Sequence, residues 1–430
     1  MSAPAEPSTG APGTPLSRVE IVTIGDELLL GFTIDTNAAH LARELASVGI
    51  QIVRRATVGD DHVEIQRAVA EALERTGAVI TTGGLGPTAD DMSKAAIAAL
   101  FGRGMRLDEE HVAWMEQRWR TRFGREMPAS NRQQAMLPDG ARKLRNNHGS
   151  APGVWLEDER GRFVAMLPGV PREMRGMLAD TLLPMLRERA GDQVVRSLTL
   201  RTTGVAESLL ADQIESMDGG PLGISLAYLP APDGVDLRLT VRELASAEAD
   251  AMLRGAADRL HARLGISIYG EQDTDLAAVV LDRCRQRSLT IAVAESCTGG
   301  LLGARLTAVA GSSDVVVGGI IAYANDVKRA LLGVAADALQ AHGAVSELVV
   351  RQMASGVRAA TSARVGIAIT GIAGPTGGTP DKPVGTVWIA VDLDGRLEAR
   401  LLKLIGDRDE IRRRAAQAAL DLTRRMLAAM

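Results

Sequence analysis

The stretch Ala294-Glu295-Ser296-Cys297-Thr298-Gly299-Gly300 sets a hydroxyl and a thiol beside two glycines, between the apolar run Leu289 to Val293 and the helix-compatible run Leu301 to Thr307. Strand, tight turn and helix in that order expose a nucleophile next to backbone N–H groups that can stabilise a developing anion or a bound phosphate. The same residue types also serve as plain caps and turn formers. Two further runs favour chemistry. Val315 to Ala322 reads as a buried strand ending in Tyr323-Ala324-Asn325-Asp326-Val327-Lys328, and Val365 to Ile369 as another ending in Thr370-Gly371-Ile372-Ala373-Gly374-Pro375. If helices connect these three strands in parallel, right-handed crossovers bring their carboxyl ends to one sheet edge, where such folds bind ligands.

A second chemical stretch is Gly83-Gly84-Leu85-Gly86-Pro87-Thr88-Ala89-Asp90-Asp91, fed by the strand Ala78 to Thr82. Its glycines can turn amides around phosphate oxygens, and a helix starting near Met92 adds its positive end. Two carboxylates beside such a cradle repel phosphate unless a cation lies between. A divalent metal held by Asp90 and Asp91, with Asp26 and Glu27 from the end of the first strand, is therefore expected. The alternative makes one of the pair a helix cap.

The elements that must position these groups follow an alternating order. Val19 to Ile24 is a strand, Asp35-Thr36-Asn37 introduces a helix with Ala38, Leu41, Ala42 and Leu45 on one face, Ile50 to Val58 is a strand and Val63 to Leu73 a helix. That alternation means a parallel α/β sheet. Pro168-Gly169-Val170-Pro171 follows the strand Phe163 to Leu167 as a rigid turn into a helix near Arg172, and its free amides can touch a substrate. Over 192–270 the pattern is open α+β: strand Val194 to Thr202, helix Ala206 to Glu215, strands Gly223 to Leu229 and Val235 to Val241 around Pro232-Asp233-Gly234, and helix Ala245 to Leu264. The last helix, Arg408 to Ala429, carries an apolar stripe through Ile411, Ala415, Ala419, Leu422 and Met426. Arg412, Arg413 and Arg414 at its start form a solvated face, from which one arginine could reach a substrate phosphate.

At 430 residues the chain is too long for one ordinary core. Hydrophobic residues make up 46% and charged residues 24%, a globular balance, so disorder is expected only in the tail of small residues and prolines over 1–17. A net charge of −4 disfavours a generic nucleic-acid binder. Cys284 and Cys297 give neither a disulfide framework nor zinc spacing and fit a reducing cytoplasm. No signal peptide and no bilayer-spanning run is evident, so no membrane partner is expected.

With these motifs, Gly343-Ala344-Val345-Ser346 and Lys382-Pro383-Val384-Gly385-Thr386-Val387, the last 160 or so residues resemble the C-terminal domain of the CinA family of competence/damage-inducible proteins. Gly25-Asp26-Glu27-Leu28, the loop through Asp91, Asn131-Arg132-Gln133-Gln134-Ala135, Ala151-Pro152-Gly153 and Leu167 to Met174 resemble the family's N-terminal domain, which shares the molybdopterin-binding fold. The resemblance implies an α/β multidomain protein: a molybdopterin-binding-like sandwich over 18–190, a small KH-like α+β domain over 191–270 and an α/β amidase domain over 271–430. Gly220-Pro221-Leu222-Gly223 has the KH-type Gly-x-x-Gly spacing without basic neighbours, so a spacer or dimerisation role is preferred to RNA binding.

The implied C-terminal activity is deamidation of nicotinamide mononucleotide to nicotinate mononucleotide and ammonia, with no cofactor. Ser296 is the expected nucleophile and Lys328 the base, its pKa lowered from about 10.4, with Tyr323 assisting. Glu295, Cys297, Thr298, Gly299, Gly300, Asn325, Thr370, Gly371, Gly374, Gly385 and Thr386 are the expected substrate contacts. Cys297 is the rival nucleophile, without an evident histidine partner. At the N-terminal site the resemblance implies hydrolysis of ADP-ribose or a related pyrophosphate with Mg2+, Co2+ or Mn2+ on Asp26, Glu27, Asp90 and Asp91, and contacts from Asn37, Gly83, Gly84, Gly86, Thr88, Pro168 and Gly169. A cytoplasmic homodimer is also implied. Two other readings are a molybdopterin- or nucleotide-transferring enzyme, and a competence or DNA-damage protein whose sites bind without turning over.

Overall fold

Four parallel strands form the heart of the N-terminal sheet, in the order Gln51–Val58, Arg18–Ile24, Ala78–Thr82 and Phe163–Leu167, and the antiparallel strands Gly153–Glu157 and Arg142–Leu144 extend it. The computed structural model describes residues 15–88, 90–191, 193–217 and 222–430. Two apolar clusters cover the faces of this sheet. One joins Ile21, Leu41, Leu45, Ile80, Phe163 and Leu167, the other Val22, Ile65, Val69, Ile97, Val164 and Met166. The helix Thr36–Ser47 begins where Asp35 accepts the Ala38 amide, and His62–Thr76 where Asp61 accepts those of Val63 and Glu64.

Of the tail expected over 1–17, residues 1–14 lie outside the described residues. Leu16 packs against the first cluster and donates its amide to Arg189 O at 2.7 Å. Ala89, Gly220 and Pro221, which belong to motifs named above, are likewise outside the described residues.

A second, four-stranded sheet runs Ser225–Ala231, Gly234–Ala245, Gln193–Thr202, Ile268–Glu271, with the helices Glu207–Glu215 and Ser246–Leu264. The chain divides into two compact units, residues 1–196 with 241–251, and 197–240 with 252–430.

In the C-terminal sheet the order is Val316–Ile321, Ile291–Glu295, Val365–Gly371, Thr386–Leu393, Arg396–Lys403, the first three strands parallel and the rest antiparallel. The strand at 316–321 was expected to be buried. It is an edge strand whose burial alternates, with Val317 and Ile321 about half exposed, because it has a neighbouring strand on one side only. The central strand is buried on both faces. Ala292 and Ala294 lie in the cluster built on the helix Glu347–Thr361, while Ile291, Val293 and Cys297 lie in the one built on Leu276–Arg285 and Arg408–Ala428.

Candidate functional sites

Register brings the three strand ends level. Ala294 pairs with Ile320 on one side and Ala368 on the other, after which Ser296 N donates to Ile369 O at 3.0 Å and Ala322 N to Glu295 O at 2.8 Å. Ser296 continues the Ala292/Ala294 face, toward the helix Asn325–Leu332 that carries Lys328. Both side chains are buried, at 8% and 1% exposure. Lys328 Nζ reaches Ser296 Oγ at 3.2 Å, Ala322 O at 2.7 Å and Tyr323 O at 3.1 Å. Burial holds the lysine pKa below its ordinary value, a pull that Cys297 opposes only weakly.

Thiolate chemistry is disfavoured at Cys297, where burial pushes the thiol up to about 11. Cys284, equally buried, is pushed up to about 12.

The glycine turn differs from expectation in one respect that matters for catalysis. Glu295, 1% exposed, folds its carboxylate under the start of the helix Leu301–Thr307 and accepts the amides of Gly300 at 3.0 Å, Leu302 at 3.1 Å and Gly303 at 2.7 Å. Gly299 N is bonded to Ser296 O. The amides of Gly299 and Gly300 are therefore spent and cannot hold an oxyanion. Those of Cys297 and Thr298 are given to no other residue among the described residues, the Cys297 amide meeting only its own sulfur.

Other expected contacts are placed around this pair to different degrees. Thr370, buried, gives its hydroxyl to Ala344 O at 2.9 Å. Gly371, Gly385 and Thr386 act as architecture: Ile372 N bonds Thr386 O, Gly385 N bonds Ile372 O, and a Cβ on Gly385 (φ +92°) would stand 1.8 Å from Leu404 O. Tyr323 and Asn325 are exposed, and the Tyr323 hydroxyl accepts from Arg408 Nη2 at 3.3 Å.

In the N-terminal unit a cavity of about 440 Å³ opens over the sheet edge. Among its lining residues are the expected Asn37, Gly83, Gly84, Gly86, Pro168 and Gly169; Thr88 is not among them. Gly83, at φ +104°, has no room for a side chain, since a Cβ would meet Ile24 O at 2.1 Å. Again a carboxylate of the chain itself occupies the turn. Asp91 takes Gly86 N at 2.7 Å, Thr88 N at 2.8 Å and Thr88 Oγ1 at 2.5 Å, bracing the loop rather than facing a ligand.

The four expected metal ligands are placed unequally. Asp91 is committed to the loop, and Asp26 exchanges side-chain-to-amide bonds with Asp60 without lining the cavity. Glu27, Asp90 and Asp91 of the four line the cavity, Asp90 also bonded to Thr88, and among the described residues no group of three or more His, Cys, Asp or Glu stands together as a metal shell. Nor does either aspartate cap the helix Ser93–Leu100, which has no side-chain cap. Six carboxylates (Glu27, Asp35, Asp60, Asp90, Asp91, Glu173) and no Lys, Arg or His line the cavity. Burial and the charges of Asp26, Glu27 and Asp90 raise the Asp60 carboxyl above the usual range, against a bond to the Asp26 amide.

Family comparisons agree along the length of the chain. Residues 20–188 match a probable molybdopterin binding domain, 197–270 the damage-inducible protein CinA KH domain, and 273–427 the CinA C-terminal domain. A CinA-like protein of Gemmatimonas aurantiaca is 64% identical over 412 residues, spanning 95% of this chain and 96% of that protein. The chain belongs to the CinA family. A CinA-like protein of Salinibacter ruber is 43% identical over 95% of this chain and 99% of its own. A crystal structure of a CinA superfamily protein from Klebsiella pneumoniae, 35% identical, covers 36% of this chain and 97% of its own with a TM-score of 0.35.

Within this CinA-family chain, three groups take places that sequence reasoning did not assign. Arg408 donates to Gly374 O at 2.5 Å as well as to the Tyr323 hydroxyl, and Arg412 of the expected triplet donates to Thr298 O at 2.7 Å in the serine turn. Their spacing, one helical turn apart on an apolar-striped helix, was the available signal. Lys94 is the third: it is buried, gives Nζ to Gln133 O and Gln134 O, and burial lowers it to about 8. No helix among the described residues is long and apolar enough to cross a membrane.

Proposed function

We propose that the C-terminal site is a serine amidase that deamidates nicotinamide mononucleotide. The observation that carries this reading is the set of three acceptors around Lys328 Nζ. A neutral amine has two N–H bonds and one lone pair. With the N–H groups given to Ala322 O and Tyr323 O, the lone pair is left for the Ser296 hydroxyl. The buried lysine then takes the Ser296 proton as Oγ bonds the carboxamide carbon. The amides of Cys297 and Thr298 are the available donors for the oxyanion. Collapse breaks the C–N bond, and ammonia leaves with the proton from Lys328. Water attacks the ester next, giving its proton to Lys328 and returning Ser296 with the nicotinate carboxylate. Arg408 and Arg412 are the cations at hand for the substrate phosphate. Ammonia release from nicotinamide mononucleotide by the full chain, beside Ser296→Ala and with chelator added, tests it; release that survives Ser296→Ala overturns it.

For the N-terminal cavity we propose a nucleotide pyrophosphate of the ADP-ribose class. Support comes from the molybdopterin-binding-domain match and from the cavity's place at the strand ends. Its lining of carboxylates without a basic side chain requires that positive charge enter with the phosphates. AMP formation from ADP-ribose, measured across a series of divalent cations, tests this; no AMP under any of them overturns it.

A further inference from the structure

Two side chains of the N-terminal cavity have polar atoms that nothing among the described residues satisfies. Asn37, 7% exposed, gives its amide nitrogen to Gly169 O at 2.7 Å, which fixes the orientation of its amide and leaves Oδ1 without a partner. Gln134, also 7% exposed, leaves Oε1 without a partner, and both residues line the cavity. A buried acceptor left unpaired is costly, and native proteins retain one where a ligand supplies the missing donor. The remaining charged groups around the cavity, all carboxylates, are acceptors as well.

We propose that this cavity selects its ligand through hydrogen-bond donors of the nucleoside part, an exocyclic amine or a sugar hydroxyl, received by Asn37 Oδ1 and Gln134 Oε1. Phosphates contribute little to the choice, because the amides of Gly86 and Thr88 are already held by Asp91. The inference deepens the nucleotide reading of this site and rests on it. A pocket built to bond a donor rejects an analogue that lacks it far more strongly than an apolar pocket rejects a missing methylene.

The test is calorimetric titration of the full chain with AMP, IMP, 2′-deoxy-AMP and 3′-deoxy-AMP at fixed magnesium. The expected result is that one analogue binds at least about tenfold more weakly than AMP. The analogue that fails tells amine from hydroxyl. In Asn37→Leu that penalty should fall to about twofold or less, because the orphan acceptor is gone. Gln134→Leu guards against a displaced 168–171 turn, since the Gln134 side chain has no hydrogen bond among the described residues; it too should shrink the penalty. Equal binding of all four nucleotides to the natural chain overturns the proposal alone, as does a penalty unchanged in both variants. No binding by any of them overturns the nucleotide reading and the proposal together.

Discussion

The serine turn at 296–300 and the glycine loop at 83–91 are built on the same plan and finished differently. Each follows a buried parallel strand and leads toward a helix, and in each a carboxylate of the chain itself takes the amides that glycine exposes, Glu295 in one and Asp91 in the other. Around the serine the reactive pair is already joined, with Lys328 between two carbonyls and the Ser296 hydroxyl, while Thr298 Oγ1 nearby is left without a partner. Around the glycine loop acceptors face acceptors. The first site carries its reactive groups in place. The second is complementary to something that brings donors and positive charge, and pre-organisation is therefore to be sought in the first.

The sharpest way to break this contrast is at Ser296. Ser296→Ala and Lys328→Met should each lower amidase kcat by about a thousandfold or more, as happens when one member of a cooperating pair is lost. Chelation should leave the natural chain's rate alone. Because the lysine acts as a neutral base, kcat/KM should rise with pH through its lowered pKa and then level; a profile that falls over that range contradicts the assignment.

Glu295→Gln comes next. It replaces an anion receiving three N–H groups by an amide whose NH2 must face one of them, which should cost about 1–3 kcal/mol of stability. If Glu295 also sets the turn for the Cys297 and Thr298 amides, kcat falls with KM little changed. A change in denaturation midpoint with kcat intact would reduce it to a structural cap.

Smaller effects should come from the N-terminal unit. Lys94, lowered by burial to about 8, binds fewer protons folded than unfolded between that pH and about 10.5, so stability should rise with pH across this window. The gain is roughly 3 kcal/mol at most, and Lys94→Met should flatten it in a urea-denaturation series. Smallest of all is Cys297→Ala. With the thiol held at about 11, amidase activity should stay within about threefold of the natural chain. A large loss would make the thiol part of the reaction.

Much of the frame was legible in the sequence because buried parallel strands are continuous apolar runs. Ala78–Thr82 was read at its observed limits, Val365–Gly371 two residues short, and Ile291–Glu295 two residues early as Leu289 to Val293. The edge strand at 316–321 was misjudged, since a run of valine and isoleucine does not reveal how many neighbours a strand has. The two glycine turns were misread for a related reason. Their free amides were counted, but the neighbouring Glu295 and Asp91 were taken as groups for a ligand instead of as partners for those amides. Arg408 escaped notice, and Arg412 could not be told from its neighbours in the triplet, because only the fold brings the last helix to Gly374 and to Thr298.

The bond from the Ser296 amide to Ile369 O ties the nucleophile's backbone to the middle of the C-terminal sheet. Moving that serine means opening the ladder between two buried strands, an event close to unfolding of the whole domain. Its amide proton should accordingly exchange with deuterated solvent among the slowest in the chain, on the timescale of global opening, whereas exposed Tyr323 and Asn325 one strand away are free to fluctuate as substrate comes and goes.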